Sequence, residues 1–364
     1  MQELRNDNLS IVEPFLSAFK YHTVLKTMVS GTSYGYVCVN DLVSPEIVYA
    51  QFRHRAFITG DLTSVNKVDF EQFFVGKVFE NCRIADVSQV RLAAKPEAWL
   101  NLLGSSLNAL NPIFFNFQIY QCRLSDSDQR PKIPEGFELR QVNKALVNEA
   151  FDGKDALLEE MCSERESVNA FLDNSFGIVA FHGKKLAGWC LSEYNHKKRC
   201  EVGIATMPPF RRQGLAKAMT LDFLNLTFEQ GLDTVLWHCC KSNRPSQLTA
   251  LSAGFELINE HKVMNIYLEP AVRFAVHGNV EFEKDNFIKA ISWYQQALNE
   301  PSPSAWMAWN AACAAAHIHR EESVFEYLNL SIDLGFSDLE LFKKSKHFRP
   351  FHDDARWVAI IERL

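Results

Sequence analysis

Apolar and polar positions change period from block to block along the chain, and the changes divide it into three blocks. In the first, about residues 1–125, residues 11–29 carry a helical pattern. Residues 34–40 and 46–53 read as strands, parted by the Asn40–Asp41 turn and Pro45. Phe57, Ile58 and Thr59 run into Gly60 and Asp61 as the end of a further strand. A phenylalanine-rich helix is predicted over 70–79 and another, with proline in its first turn, over 96–103. Alternating Phe, Ile and Tyr over 113–123 predict a strand. Elements in this order make an α/β or α+β layer packing. The polar, proline-flanked segment 125–134 reads as a linker.

The second block, about 133–268, opens with a predicted strand over 136–142 and two helical stretches reaching about Asn174. Residues 176–182 and 186–193, joined by Gly183, Lys184 and Lys185, form a hairpin. Val202 to Thr206 make a strand that Pro208 and Pro209 stop, because proline cannot donate to a ladder. Leu215, Met219, Phe223 and Leu226 then recur at helical spacing until Gly231. A buried strand over 235–240 and a short helix over 243–253 follow. Gly254 and Phe255 lead into two closing strands, the second over 263–268.

In the third block, about 270–364, the pattern repeats. Gly278, Ala290, Tyr294 and Ala297 recur as Ala312, Val324, Leu328 and Ser331. The spacing of about 34 residues resembles that of tetratricopeptide repeats. Small residues let paired helices approach, and Tyr294 and Leu328 fill the seam. Phe274 and His277 depart from the repeat's usual Trp and Leu, and residues 339–364 read as a cap of one or two helices. Two repeats are fewer than independent stability needs, so this block is expected to dock on the rest of the chain or on another copy. It offers either a concave surface for a protein partner or a packed helical appendage.

Length and composition narrow the classes. A chain of 364 residues is too long for one typical domain. Hydrophobic residues at 47% and charged residues at 23% match a soluble globular protein, and a net charge of −6 argues against a general nucleic-acid binder. The nine cysteines include no C-x-x-C pair and no zinc-finger spacing, so they read as reduced thiols of a cytoplasmic protein, with no metal expected. No leader pattern and no run of transmembrane length is present, so no membrane is expected.

The most specific chemistry lies between Glu201 and Ala216. Arg211, Arg212, Gln213, Gly214, Leu215 and Ala216 form a basic, glycine-containing turn where a helix begins. Unpaired backbone N–H groups and the positive dipole end make such a start an anion site. Arg-x-x-Gly-x-Ala, at Arg211, Gly214 and Ala216, resembles the acetyl-CoA signature of the GNAT acetyltransferases. The order of elements in the second block is also that of a GNAT domain, and Gly254-Phe255 matches a pair with which that family often ends its second helix. The first block resembles, in element order, the N-terminal half of a bacterial GNAT subgroup that includes antibiotic-resistance acetyltransferases. There it looks like a degenerate copy of the same fold and would form one wall of the substrate cleft. The expected architecture is an α/β (α+β) GNAT acyl-CoA N-acyltransferase fold, a mixed sheet with flanking helices. A GNAT-like N-terminal domain precedes it and an all-α, TPR-like domain follows.

The resemblance implies acetyl-CoA as cosubstrate, with its diphosphate on the amides of residues 212–216. It also implies direct attack by a primary amine of a small molecule or peptide. An ammonium cannot attack, so a carboxylate must accept its proton. Glu201, at the start of the phosphate-loop strand, and Glu193, at the end of its partner, are the candidates, with Glu201 ahead. A main-chain amide among Ile204, Ala205 and Thr206 would donate to the carbonyl oxygen, and Asn243 and Ser246 would touch the pantetheine arm. Many GNAT enzymes carry a tyrosine acid where this chain has Ala250.

Each candidate has a plainer role. Glu193 and Glu201 could be strand-end surface charges, Asn243 a helix cap and His238 a satisfied core histidine. Arg53, His54 and Arg55 read as a solvated strand edge, and Lys197, Lys198 and Arg199 as a solvated turn. The competing function is a helical-repeat interaction protein whose acetyltransferase fold is inactive or senses CoA.

Overall fold

The computed structural model describes residues 1–4, 6–33, 35–64, 67–123 and 131–364. Most of the linker expected at 125–134, and Tyr34 of the first expected strand, lie outside them. The first segment runs β1 (Gln2–Glu3), α1 (Glu13–Leu16), α2 (Thr23–Val29), β2 (Tyr36–Val39), β3 (Ile47–Phe52) and β4 (Arg55–Gly60). It continues through α3 (Lys67–Gln72), α4 (Phe79–Ile84), β5 (Gln89–Lys95), α5 (Ala98–Ser106) and β6 (Ile113–Arg123). A π-helical turn, Phe73–Val78, joins α3 to α4, and Phe70, Phe73, Phe74 and Phe79 are all buried there as core.

The second segment runs β7 (Phe137–Gln141), α6 (Lys144–Asn148), α7 (Lys154–Ser163), α8 (Val168–Asn174), β8 (Gly177–His182), β9 (Lys185–His196) and β10 (Arg199–Thr206). It ends with α9 (Leu215–Glu229), β11 (Thr234–Cys240), α10 (Arg244–Ser252) and β12 (Glu256–Tyr267). Helices on both faces keep most of β9 buried, although it lies in an antiparallel stretch. Leu215, Met219, Phe223 and Leu226 form the buried stripe of α9, and Phe176 stacks on Phe223 at 5.4 Å.

Among the described residues the twelve strands belong to one sheet, in the order β1-β2-β3-β4-β5-β12-β6-β11-β10-β9-β8-β7. The blocks expected at 1–125 and 133–268 therefore share a sheet. The order is symmetric about the β12–β6 neighbours. Each side holds one parallel pair, β4 with β5 and β10 with β11, and the last strand of each half sits beside the other half's parallel pair. The two closing strands expected after Gly254 are a correction, because β12 is one strand. Between Glu256 and Tyr267 there is no Gly or Pro to turn the chain, and the polar Asn259–Glu260 pair only mimics a turn.

A second compact unit comprises Cys82–Val90, Leu107–Ile113 and Ile266–Leu364. Its helices are α11 (Pro270–Phe282), α12 (Phe287–Leu298), α13 (Ala305–His317), α14 (Glu321–Asp333), α15 (Leu339–Lys344) and α16 (Ala355–Glu362). The alanines of α13 are buried on nearly every side, which lets neighbouring helices approach closely. Trp309 stacks on Phe336 at 4.6 Å. A Cβ on Gly278 would come within 2.7 Å of Tyr294 Cδ1, and Tyr294 is pinned by its hydroxyl donating to Asn279 Oδ1 at 2.8 Å. Gly278→Val should thus destabilise this unit by about 1–3 kcal/mol through overpacking. The check is a lower urea midpoint for its far-UV circular-dichroism transition. Among the described residues no helix is long and apolar enough to cross a membrane.

Candidate functional site

Strand β10 parts from β11 halfway along its length. Their parallel register runs from Arg199↔Thr234 to Val202↔Trp237. Beyond it β11 stays paired with β6 down to Cys240↔Phe117, and β10 stays paired with β9 down to Thr206↔Gly188. Gly203 to Thr206 therefore line a splay on the β11 side. Alternate amides of a strand point to opposite edges, so part of the set from Ile204, Ala205 and Thr206 faces this gap. The Thr206 hydroxyl is buried there with no hydrogen-bond partner.

A 3-10 turn, Pro208–Phe210, carries the chain from β10 into the loop. Arg212 and Gly214 both have positive φ, 65° and 80°. Arg211 Nε donates to Thr206 O at 3.0 Å and so braces the loop from inside. Arg212, Gln213 and Gly214 are exposed, Leu215 is buried and Ala216 is half-buried. The first ladder bond of α9 runs from Ala218 N–H to Gly214 O at 3.1 Å, so the amides of Leu215, Ala216 and Lys217 precede the ladder. Gly214, at the N-cap, provides no side-chain acceptor for them. The space where its Cβ would stand is open, with nothing within 4 Å. The loop thus has the open shape and polarity that suit an anion.

Asn243 Oδ1 accepts the Ser246 N–H at 3.2 Å and caps α10, and Ser246 Oγ accepts from Trp237 Nε1 at 2.9 Å. Ala250 is fully buried and presents no hydroxyl.

On the other side of Gly203 stands a cluster of carboxylates. Register shifts between Glu201↔Tyr194 and Val202↔Ser192, so Glu193 is the extra residue of a β-bulge, a device that re-aims a side chain. Its carboxylate lies over Gly203, where a Cβ would collide with it. Arg55, at the start of β4, reaches Glu193 Oε2 at 2.5 Å, Glu201 Oε2 at 3.1 Å and Glu164 Oε1 at 3.6 Å. Glu201 Oε1 accepts the Thr23 N–H, and Tyr194 donates its hydroxyl to Glu164. Glu201 is only 2% exposed and Glu193 20%, so neither is a strand-end surface charge.

The reading of Arg53, His54 and Arg55 as a solvated strand edge holds for Arg53, which is exposed, and is corrected for Arg55, which is 17% exposed and triply paired. Its site is formed by the curl of the sheet. Four strands lie between β4 and β10, which would put them about 24 Å apart in a flat sheet. A 3.1 Å ion pair between their side chains requires the sheet to curl. No local pattern announces this, since Glu193 and Glu201 lie 138 and 146 residues away in sequence. His238 is a satisfied core histidine, with Nε2 donating to Tyr21 O at 3.1 Å. Lys197 and Lys198 form an exposed turn, and Arg199 is exposed at the start of β10.

Burial pushes the Glu201 carboxyl up to about 7, and Glu193 adds to this while Arg55 and the Thr23 N–H oppose it. Burial, then Glu193 and Glu164, likewise push Glu160 of α7 up to about 7. For Arg55, burial opposes the charge, but Glu193, Tyr194, Glu164 and Glu201 outweigh it and hold the guanidinium well above its usual range. Glu160, Glu164 and Arg55 gave no signal in the sequence beyond being charged residues.

A cavity of about 90 Å³ opens beside the cluster, bounded by Glu193, Glu201, Phe57 and three imidazoles, His22, His238 and His261. The His22 ring stands edge-on to His238 at 5.1 Å and to His261 at 5.2 Å. Burial lowers His238 to about 3, His261 to about 4 and His22 well below the usual value. Among the described residues no group of three His, Cys, Asp or Glu side chains is arranged to hold a metal ion. An unfolded histidine charges near pH 6.5, so between about pH 6.5 and 4 the unfolded chain binds more protons and the histidines cost stability on acidification. Glu201 acts in the opposite sense, contributing below about pH 4.5 and losing its contribution as pH rises through about 7. In His261→Phe, unfolding free energy should fall less steeply between pH 6.5 and 4, by up to about 1.4 kcal/mol per pH unit. An unchanged slope in urea titrations would reject the assignment.

The chain belongs to the GNAT acetyltransferase family, whose model matches residues 13–264. It is similar to an uncharacterised N-acetyltransferase, YdfB, of Bacillus subtilis (strain 168), at 22% identity over 268 residues, which is 72% of this chain and 97% of the relative. Among solved structures, a GCN5-related N-acetyltransferase-like protein from Streptococcus suis superposes with a TM-score of 0.53 at 19% identity. It covers 72% of this chain and 98% of its own. A GCN5-related N-acetyltransferase from Sphaerobacter thermophilus gives 0.51 at 13% identity, covering 74% of this chain and 95% of its own. The family match stops before α11, so the helical segment lies beyond it.

Proposed function

We propose that the protein is an acetyl-CoA-dependent N-acetyltransferase that acts on a primary amine of a small molecule or peptide. The observation that carries the reading is the splay of β10 from β11 running into the Arg212–Gly214 turn and the uncapped start of α9. In it the amides of residues 212–216 bind the diphosphate, and Gly214 lets the backbone approach. The pantetheine arm lies along Ile204, Ala205 and Thr206, whose inward amides donate to the acyl oxygen as charge builds on it. Asn243 and Ser246 act chiefly through α10, as cap and brace, and touch the arm from there. Acetyl-CoA supplies the activated acetyl group.

Glu193 takes the proton of the attacking amine. Both Glu201 oxygens are engaged, by Thr23 and Arg55, whereas Glu193 keeps Oε1 beside Gly203 at the mouth of the splay. This reverses the order given to the pair from sequence. Glu201 is its buried neighbour, and a proton on Glu201 changes the charge beside the splay. With Glu201 at about 7, activity should rise with pH through neutrality. A profile already flat from pH 5.5 to 8.5 would contradict this. The overall test is release of free thiol from acetyl-CoA in the presence of polyamines, aminoglycosides, amino acids and peptides. Tight CoA binding with no thiol release from any of them would favour a CoA-sensing role.

The first half is read as a degenerate copy of the second, supported by the symmetric strand order. The turn after β4 has Asp61 accepting the Thr63 N–H at 2.9 Å, so a carboxylate stands just past the strand end in the first half. The segment α11–α14 is read as two TPR-like hairpins, supported by the recurrence at 34 residues and the Gly278–Tyr294 seam.

A further inference from the structure

We propose that Arg55, a side chain of the first half, is the positioning residue that aims and charges the carboxylates of the second. The proposal rests on the acetyltransferase reading and on Glu193 as proton acceptor. Arg55 offers two terminal nitrogens to three carboxylates that come from three places in the chain. Nη2 meets Glu193 Oε2 on β9 and lies 3.6 Å from Glu164 beyond α7, and Nη1 meets Glu201 Oε2 on β10. The planar fork fixes the direction of each contact, which a lysine could not do. By taking Oε2 of Glu193 it leaves Oε1 of the same carboxylate beside Gly203, at the splay.

The groups facing the guanidinium limit what else could do this. Tyr194 lies under it at 5.1 Å with its hydroxyl committed to Glu164, and Arg165 lies 5.6 Å from the same ring. Arg165 itself is tied to Ser175 Oγ at 3.1 Å. His22 and His238, also within its field, stay uncharged. Glu160 adds a further carboxylate that senses Glu193 and Glu164. Without Arg55, these closely set carboxylates could not all ionise, because like charges in a buried site raise one another's pKa. Glu201, which Arg55 now holds down to about 7, would rise further and leave a neutral carboxyl beside the proton acceptor. The first half of the sheet thus supplies the charge that makes the second half competent.

The test compares wild type with Arg55→Met, Arg55→Gln and Arg55→Lys, each checked for native far-UV circular dichroism. The expected result for Met and Gln is a fall in kcat of about 10²-fold or more. The acidic limb of the profile should also move up by about 1–3 pH units, with the KM for acetyl-CoA unchanged. Lys should recover the position of the limb but only part of kcat, since it restores charge without the fork. In parallel, carbon-13 titration of the glutamate carboxyls should place Glu201 near 7 in wild type and higher in Arg55→Met. That readout needs no acceptor amine. If wild type releases thiol while the variants keep both the limb and the carboxyl titration, Arg55 is structural only and the proposal is overturned. If wild type releases no thiol from any amine, the transferase reading fails. The titration alone then decides whether Arg55 sets the carboxylates, and an unmoved Glu201 overturns it.

Discussion

Glu193→Gln should lower kcat by about 10²–10⁴-fold, the range for losing a positioned general base, while CoA still binds with nearly wild-type affinity. The amide keeps the size of the side chain and so keeps the bulge over Gly203. Arg55 retains Glu201 and Glu164, so the clasp between the halves survives. What is lost is a proton acceptor at the fork. A KM for acetyl-CoA that rises with an unchanged kcat would mean that Glu193 contributes to binding and not to proton transfer. Gly203→Val should approach the same outcome by another route, because its side chain would displace the Glu193 carboxylate sterically without removing it.

Gly214→Val should weaken CoA binding by about 10–100-fold, as expected if one charge-assisted bond of about 1.5–3 kcal/mol is lost. The position has φ 80°, which a β-branched residue tolerates poorly. The loss would come from that backbone strain, and from a side chain standing in the open space of the anion cradle, since nothing of the protein lies within 4 Å. Because Gly214 sits in an exposed loop, the fold should persist and calorimetric titration with CoA should isolate the effect. Affinity within about twofold of wild type would discredit the loop.

Some of this was legible in residues, and the boundary follows sequence distance. Local pattern was enough for α9, with its stripe from Leu215 to Leu226 and its stop at Gly231, because helix signals are short-range. The same holds for the β8–β9 hairpin around Gly183. It did not suffice for β12, where the missing Gly or Pro outweighed a polar pair, nor for the exchange of β6 and β12 between halves. Strand partners are chosen by packing over a hundred residues or more, and no periodicity records the choice. The candidate site divides the same way. Arg211, Gly214 and Ala216 announce a helix start by themselves, whereas Glu193 and Glu201 look like surface charges until the sheet curls. Arg55 looked the most solvated of all, since a basic turn next to a strand carries no sign of three carboxylates arriving from elsewhere.

The central claim is that the turn at Arg212–Gly214 holds a diphosphate and directs the sulfur down the splay between β10 and β11. A crystal structure with CoA bound tests it most directly. The account predicts diphosphate oxygens within hydrogen-bond distance of the amides between Arg212 and Ala216, with the thiol beside Gly203 and within reach of Glu193. A diphosphate bound elsewhere, or a splay closed by its own side chains with CoA lying outside it, would contradict the account.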